Sequence, residues 1–198
     1  MSCQNSYLQK ISRDKNYSSY YIQRIFGMKC LADMSILELY PNAKEVTESY
    51  GCFEAVVNNF NYDLKDPNVN IVCVGDGHTP RTAAMFAFRS RWATYSIDPE
   101  LRSRTTWNRI NRLKRISKRI QEVSLEFEEP TIIVHCHAHV KIEDSLRSIK
   151  SPELSVVSME CCVGQYIRRI EPDIVYKDNC IWTPKNEIKI WKNVSAIV

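Results

Sequence analysis

Residues 70–80 read Asn70-Ile71-Val72-Cys73-Val74-Gly75-Asp76-Gly77-His78-Thr79-Pro80, and this stretch decides the fold. Ile71 to Val74 is wholly apolar, with no polar alternation. Such runs belong to strands buried on both faces, as in a parallel sheet. The run stops at Gly75-Asp76-Gly77, which holds two of the chain's five glycines. Thr79-Pro80 then predicts a helix start, with Thr at the N-cap and Pro at the first helical position. Thr82 to Phe88 supplies an apolar helix body, Ala93 to Ile97 a second strand, and Asp98-Pro99 its end. Strand, glycine turn, helix, strand and terminal acid make a βαβ unit.

Working downstream, Asp98 to Pro130 reads either as one long basic helix or as a short helix followed by a strand near Leu113 to Ile120. Thr131 to Val134 opens another buried strand, which runs into His135-Cys136-His137-Ala138-His139. Leu154 to Val157 is a further strand, ending near Glu160-Cys161-Cys162. Cys180 to Thr183 and Glu187 to Trp191 flank Pro184-Lys185-Asn186, a hairpin signal. Upstream, Ser18–Phe26, Ser35–Leu39 and Ala43–Phe60 carry apolar residues at helical spacing, and Asp66-Pro67-Asn68 marks a turn. The expected fold is α/β: a doubly wound, mostly parallel sheet with an antiparallel C-terminal hairpin and N-terminal helices.

Composition sets the outer bounds. A chain of 198 residues, 44% apolar and 25% charged, suffices for one domain with a core and is too short for two full-sized ones. No run approaches the roughly 18 apolar residues of a membrane span, and Met1–Lys10 lacks a signal-peptide core. An intracellular protein, cytoplasmic or nuclear, with no membrane partner is therefore expected. The eight cysteines include no Cys-x-x-Cys pair, so reduced, mostly buried thiols are expected.

The net charge of +4 is unevenly spread: Leu101 to Ile120 holds eight basic residues and no acid. Such a block can face the phosphates of RNA or another polyanion. Arg81, Arg102, Arg104, Arg109, Arg112, Lys114 and Arg115 are the candidate anion contacts. The plain alternative is a solvated face, and Trp107, Ile110, Leu113, Ile116 and Ile120 show that part of the block is packed. Arg81 stands in the first turn of a helix, where a cation opposes the dipole. A carboxylate or phosphate contact, or pairing with Asp98 or Glu100, would account for it.

The glycine turn and the histidines carry the candidate chemistry. A ligand lying against the end of a parallel strand needs close backbone approach, which glycine permits, and the helix start that follows offers free N–H groups. Asp98 lies 23 residues after Gly75, close to the roughly 20 expected of an acid that accepts hydrogen bonds from ribose hydroxyls. A dinucleotide fingerprint fails, because position 80 is proline where the third glycine would stand. All four histidines lie between His78 and His139. His135, His137 and His139 alternate, so on a strand they would share one face. Topology would bring them and His78 to one cleft at the carboxyl end of the sheet. They could be metal ligands, a general base or hydrogen-bonded structural groups. Of Cys161 and Cys162, at most one is expected to reach that rim, since adjacent strand residues point to opposite sides.

Val72-Cys73-Val74-Gly75-Asp76-Gly77, Ile97-Asp98 and the terminal hairpin around Trp182 and Trp191 resemble the Rossmann-like S-adenosylmethionine-dependent methyltransferases, over about residues 43–195. The resemblance implies a helical segment over 1–65 packed on a Rossmann-like domain over 66–198. It also implies a last strand inserted antiparallel beside the one before it. Gly75, Asp76, Gly77, His78, Thr79 and Asp98 would bind S-adenosylmethionine, with Gly75 and Gly77 along its methionine and ribose parts and Asp98 on the ribose hydroxyls. One of His135, His137 and His139 would act near the acceptor, an RNA or other anionic molecule, and no metal is expected. Two alternatives stay open. Cys73 stands where the family often has an acid, and Thr79 where a third glycine is common. A fold that has lost its chemistry and serves as a binding or structural module would show this, with its pocket filled by His78 or Met85. A metal-dependent hydrolase built on the histidine cluster is the other.

Overall fold

A computed structural model describes residues 18–196. Met1–Lys10, read above for a leader, and the first part of the 1–65 segment lie outside the described residues. Three helices come first: α1 (Tyr20–Phe26), α2 (Leu31–Ile36) and α3 (Ala43–Asn59). The βαβ unit follows as β1 (Asn70–Val74), α4 (Arg81–Arg89) and β2 (Ala93–Ile97). Then come β3 (Leu113–Ile116), β4 (Leu125–Glu126), β5 (Thr131–Cys136), α5 (Ile142–Ser148), β6 (Ile149–Lys150) and β7 (Leu154–Met159). β8 (Ile174–Lys177) and β9 (Glu187–Trp191) close the chain.

Seven strands form one sheet in the order β3-β2-β1-β5-β7-β9-β8, and β4 pairs with β6 separately. All pairs from β3 to β7 are parallel, while β9 runs antiparallel between β7 and β8. The order turns outward from β1 in both directions, so the carboxyl ends of β1 and β5 meet at the switch point where open α/β sheets bind ligands.

The strands lack alternation because both faces are covered. Ile71, Cys73, Ile132, Val134, Val157 and Met159 pack on one side with α3 and α4. Val72, Val74, Ile133, Leu154, Val156 and Trp191 pack on the other with α5. Each side chain still obeys the period of two, but neither set reaches water.

Of the two readings of the basic interval the second holds: a short 3-10 turn at Thr105–Arg109 precedes β3, an edge strand. Two local expectations are corrected. The C-terminal hairpin exists, but its first strand is Ile174–Lys177 and not Cys180–Thr183. The latter segment is held in the loop by distant contacts: Trp182 donates from its backbone N–H to Thr47 Oγ1 at 3.0 Å and from Nε1 to Ser18 O at 3.0 Å. Last, Thr79 does not cap α4, since its hydroxyl donates to Leu39 O at 2.8 Å. The cap is Asp76, whose carboxylate accepts from Thr82 N at 2.9 Å, Ala83 N at 3.2 Å and Ser96 Oγ at 2.9 Å.

A buried carboxylate capping two N–H groups at a helix start is a strong local device. Asp76→Ala is expected to lower unfolding stability by about 1–2 kcal/mol. Urea denaturation checks this, and an unchanged midpoint would show that water replaces the cap.

Candidate functional site

A cleft of about 1080 Å³ opens at the carboxyl edge of β1, β2 and β5. Gly75 and Gly77 form its floor, in left-handed conformations at φ +74° and +78°. Gly75 is required on two counts. Besides its φ, a Cβ there would lie 2.7 Å from the Ala138 Cβ of the loop after β5. Gly77 donates its N–H to Asp98 Oδ2 at 2.8 Å, and Asp98 Oδ1 accepts from Glu100 N at 2.8 Å. Asp98 is thereby fixed at the end of β2 with its carboxylate bordering the cleft. Each carboxylate oxygen keeps a lone pair for a further donor.

The opposite wall is α3. Asn42 starts this helix by accepting from Glu45 N at 3.0 Å. Lys44, Glu45 and Glu48 then face the cleft. Glu45 pairs with Arg81 at 2.8 Å; of the contacts that would account for a cation in the first turn of α4, a carboxylate is the one made, and it is Glu45, not Asp98 or Glu100. Glu48 is buried and lies 2.9 Å from Lys44 Nζ and 3.1 Å from His137 Nε2. Burial alone would push the Glu48 carboxyl up; His137 and Lys44 more than offset it, so it lies below the usual carboxylate range. His137 Nδ1 is buried beside the cleft without a hydrogen-bond partner among the described residues.

The three neighbouring histidines part ways. β5 ends at Cys136, and His137 takes a left-handed turn at φ +55° while its N–H donates to Met159 O at 3.0 Å. The alternation therefore breaks before it can place the rings on one face. His137 and His139 line the cleft. His135 is fully buried away from it, with Nδ1 3.2 Å from Gln165 Oε1 and Nε2 2.9 Å from Ser145 Oγ. Gln165 uses its NH₂ on Ala138 O at 3.2 Å and Val140 O at 2.9 Å, so its carbonyl faces His135. His135 is then the Nδ1–H tautomer, a staple that holds the loop bearing His137 and His139. His78 is exposed, 3.6 Å from Glu100, and does not line the cleft. Asp76 and Thr79 do not line it either; both serve the fold as described above. Of the six residues expected to bind the cofactor, Gly75, Gly77 and Asp98 border the cleft.

The basic block is largely committed to internal contacts. Arg112 donates to Ala87 O and Ser90 O, closing the end of α4. Arg104 and Arg115 stack on the Trp107 ring at 5.8 and 5.5 Å, and Lys114 lies 5.1 Å over Tyr95. Charges on β3 also protect an edge strand from pairing. Arg102 and Arg109 remain exposed, and Arg119, beyond the expected set, lines the cleft.

Glu48 and Lys185 escaped the sequence. Glu48 left a faint signal: an acid on the same helix stripe as Cys52, Ala55 and Val56, all buried. Lys185 sat in the presumed hairpin turn, which instead folds over the cleft with Thr183 and Pro184. Of the cysteine pair Cys161 lines the cleft and Cys162 does not, as expected, while both thiols stand beside His139 in the loop beyond β7.

Burial holds the His135 ring far below its ordinary range, at about 4. The unfolded chain takes up this proton first as pH falls, so stability drops from about pH 6.5 down to about 4. That single ring accounts for up to about 3 kcal/mol over the window. Denaturation at pH 7 and 4.5 should show a smaller loss in His135→Gln than in the parent; equal losses would refute the assignment.

No family model and no curated protein matches the sequence. Solved structures do. The chain superposes on a mutant of MtNAS in complex with S-adenosylmethionine at TM-score 0.55 and 12% identity, over 86% of this chain and 69% of that one. A second structure of the same mutant gives TM-score 0.51 at 12% identity, over 86% of this chain and 67% of that one. With the strand order and the inserted antiparallel β9, this likeness establishes the fold, a Rossmann-like, mostly parallel α/β sheet shared with that S-adenosylmethionine complex.

Proposed function

We propose that the cleft binds S-adenosylmethionine and that the protein is a methyltransferase for an anionic acceptor. The observation that carries this is the Gly77 N–H to Asp98 Oδ2 bond, which sets a glycine turn and a carboxylate side by side on the cleft floor. The residues present fit the cofactor. Asp98 has lone pairs for ribose hydroxyls, Ile97 and Pro99 offer apolar contact, and Gly75 and Gly77 line the cleft with backbone alone. His78 is exposed and Met85 lies in the core, so neither fills the cleft; this favours a working site over a degenerate module.

S-adenosylmethionine supplies an electrophilic methyl carbon when bound. The chain's own groups supply the rest. His137 accepts a proton from the acceptor, and the ionised Glu48 holds its ring and stabilises the imidazolium. Asp98, Glu100 and Glu122 put negative charge around a cationic cofactor. Arg119 and Lys185 at the cleft, with exposed Arg102 and Arg109 alongside, suit an anionic acceptor such as RNA.

Calorimetry with S-adenosylmethionine and with S-adenosylhomocysteine tests this. Binding of both is expected, weakened about 10–100-fold in Asp98→Ala by loss of charged hydrogen bonds. Glu48→Gln should keep cofactor affinity and lose turnover. Absence of binding of either compound by the folded protein would remove the proposal.

A further inference from the structure

His139 stands at the centre of a second constellation. Its Nε2 lies 3.4 Å from Cys161 Sγ and 3.4 Å from Cys162 Sγ, and all three atoms lie within 4.8 Å of one another. The fold produces this meeting. β5 and β7 are parallel neighbours with Cys136 opposite Met159, so the loops that follow them emerge together. His139 and the cysteine pair then project from adjacent loops. Both loops are anchored. Gln165 ties the His139 loop through Ala138 O and Val140 O, and its N–H donates to Glu160 Oε1 at 3.0 Å on the cysteine loop. Lys189 Nζ pairs with the same Glu160 oxygen, and Lys185 donates to Cys161 O.

We propose that His139, Cys161 and Cys162 bind a zinc ion at the mouth of the cleft, with its fourth position open toward the cleft. Zinc–nitrogen and zinc–sulfur bonds of about 2.0–2.1 and 2.3 Å at tetrahedral angles put N and S about 3.6 Å apart and the two sulfurs about 3.8 Å apart. The 3.4 Å separations need almost no adjustment to reach this. One imidazole and two thiolates form a neutral site with a divalent ion, and soft donors of this kind select zinc over magnesium or calcium. His139 and Cys161 also line the cleft, which directs the vacant position inward. That position takes water or an anionic donor atom of the acceptor. The set differs from the histidine cluster expected from sequence: His135 is buried elsewhere, and His137 belongs to Glu48. The backbone N of His139 lies 3.8 Å from where a Gly75 Cβ would stand, so the ion would sit beside the glycine turn.

The test uses zinc alone, so it is independent of the cofactor. Reduced, metal-free protein is titrated with zinc, desalted and assayed by elemental analysis, and cobalt(II) is substituted for its thiolate charge-transfer bands. One zinc per chain and tetrahedral cobalt bands are expected, both lost in His139→Ala and in Cys161→Ser/Cys162→Ser, with circular dichroism unchanged. His78→Ala serves as the control and should retain the ion. Folded parent protein that stays zinc-free overturns the proposal. So do cobalt bands that survive in the double cysteine variant, or conversion to a Cys161–Cys162 disulfide in the presence of equimolar zinc.

Discussion

The closeness of two loops governs the functional edge of this protein. Ala138, after β5, packs where any side chain on Gly75, after β1, would have to stand. Removing one Cβ lets the two turns nest at the switch point of the sheet. The consequences spread outward. Gly77 reaches Asp98, and the loop that carries His137 and His139 comes down against the floor of the cleft. Protein interiors tolerate little volume change, so that contact fixes the cleft's depth as well as its position.

Polar groups then hold what packing has brought together. The buried His135–Gln165 pair ties the backbone of the His137 loop, and Asp76 ties the start of α4. Neither touches the cleft, yet both determine where cleft residues stand. Buried polar groups are costly unless satisfied, and these are satisfied. The contrast is His137, whose Nδ1 has no partner among the described residues, and Glu48, a carboxylate kept ionised inside the wall. His137 combines a left-handed backbone with incomplete pairing at the cleft, where a bound molecule can relieve them.

The basic segment shows how composition can mislead about function. Eight cations without an acid suggest a polyanion surface. In three dimensions Arg112 caps a helix, Arg104 and Arg115 flank Trp107, and Lys114 covers Tyr95. Guanidinium groups pack on rings and carbonyls as readily as they meet phosphate. Charge count alone could not separate these uses, because each depends on partners far away in the chain.

The sequence by itself determined the strands of the parallel core, the glycine turn after β1 and the acid ending β2, since these follow from local periodicity and backbone freedom. It also carried the antiparallel closing strand, though not the correct partner for it. Tertiary structure alone decided which side chains share the cleft. His135, His137 and His139 look equivalent in the chain, but one left-handed residue at 137 ends the strand and sends each ring to a different neighbour. Glu48 and Lys185 entered through contacts between elements distant in sequence. The period of a strand predicts side-chain direction only while the strand lasts. The site begins where the strands end, and beyond that point long-range packing sets the geometry.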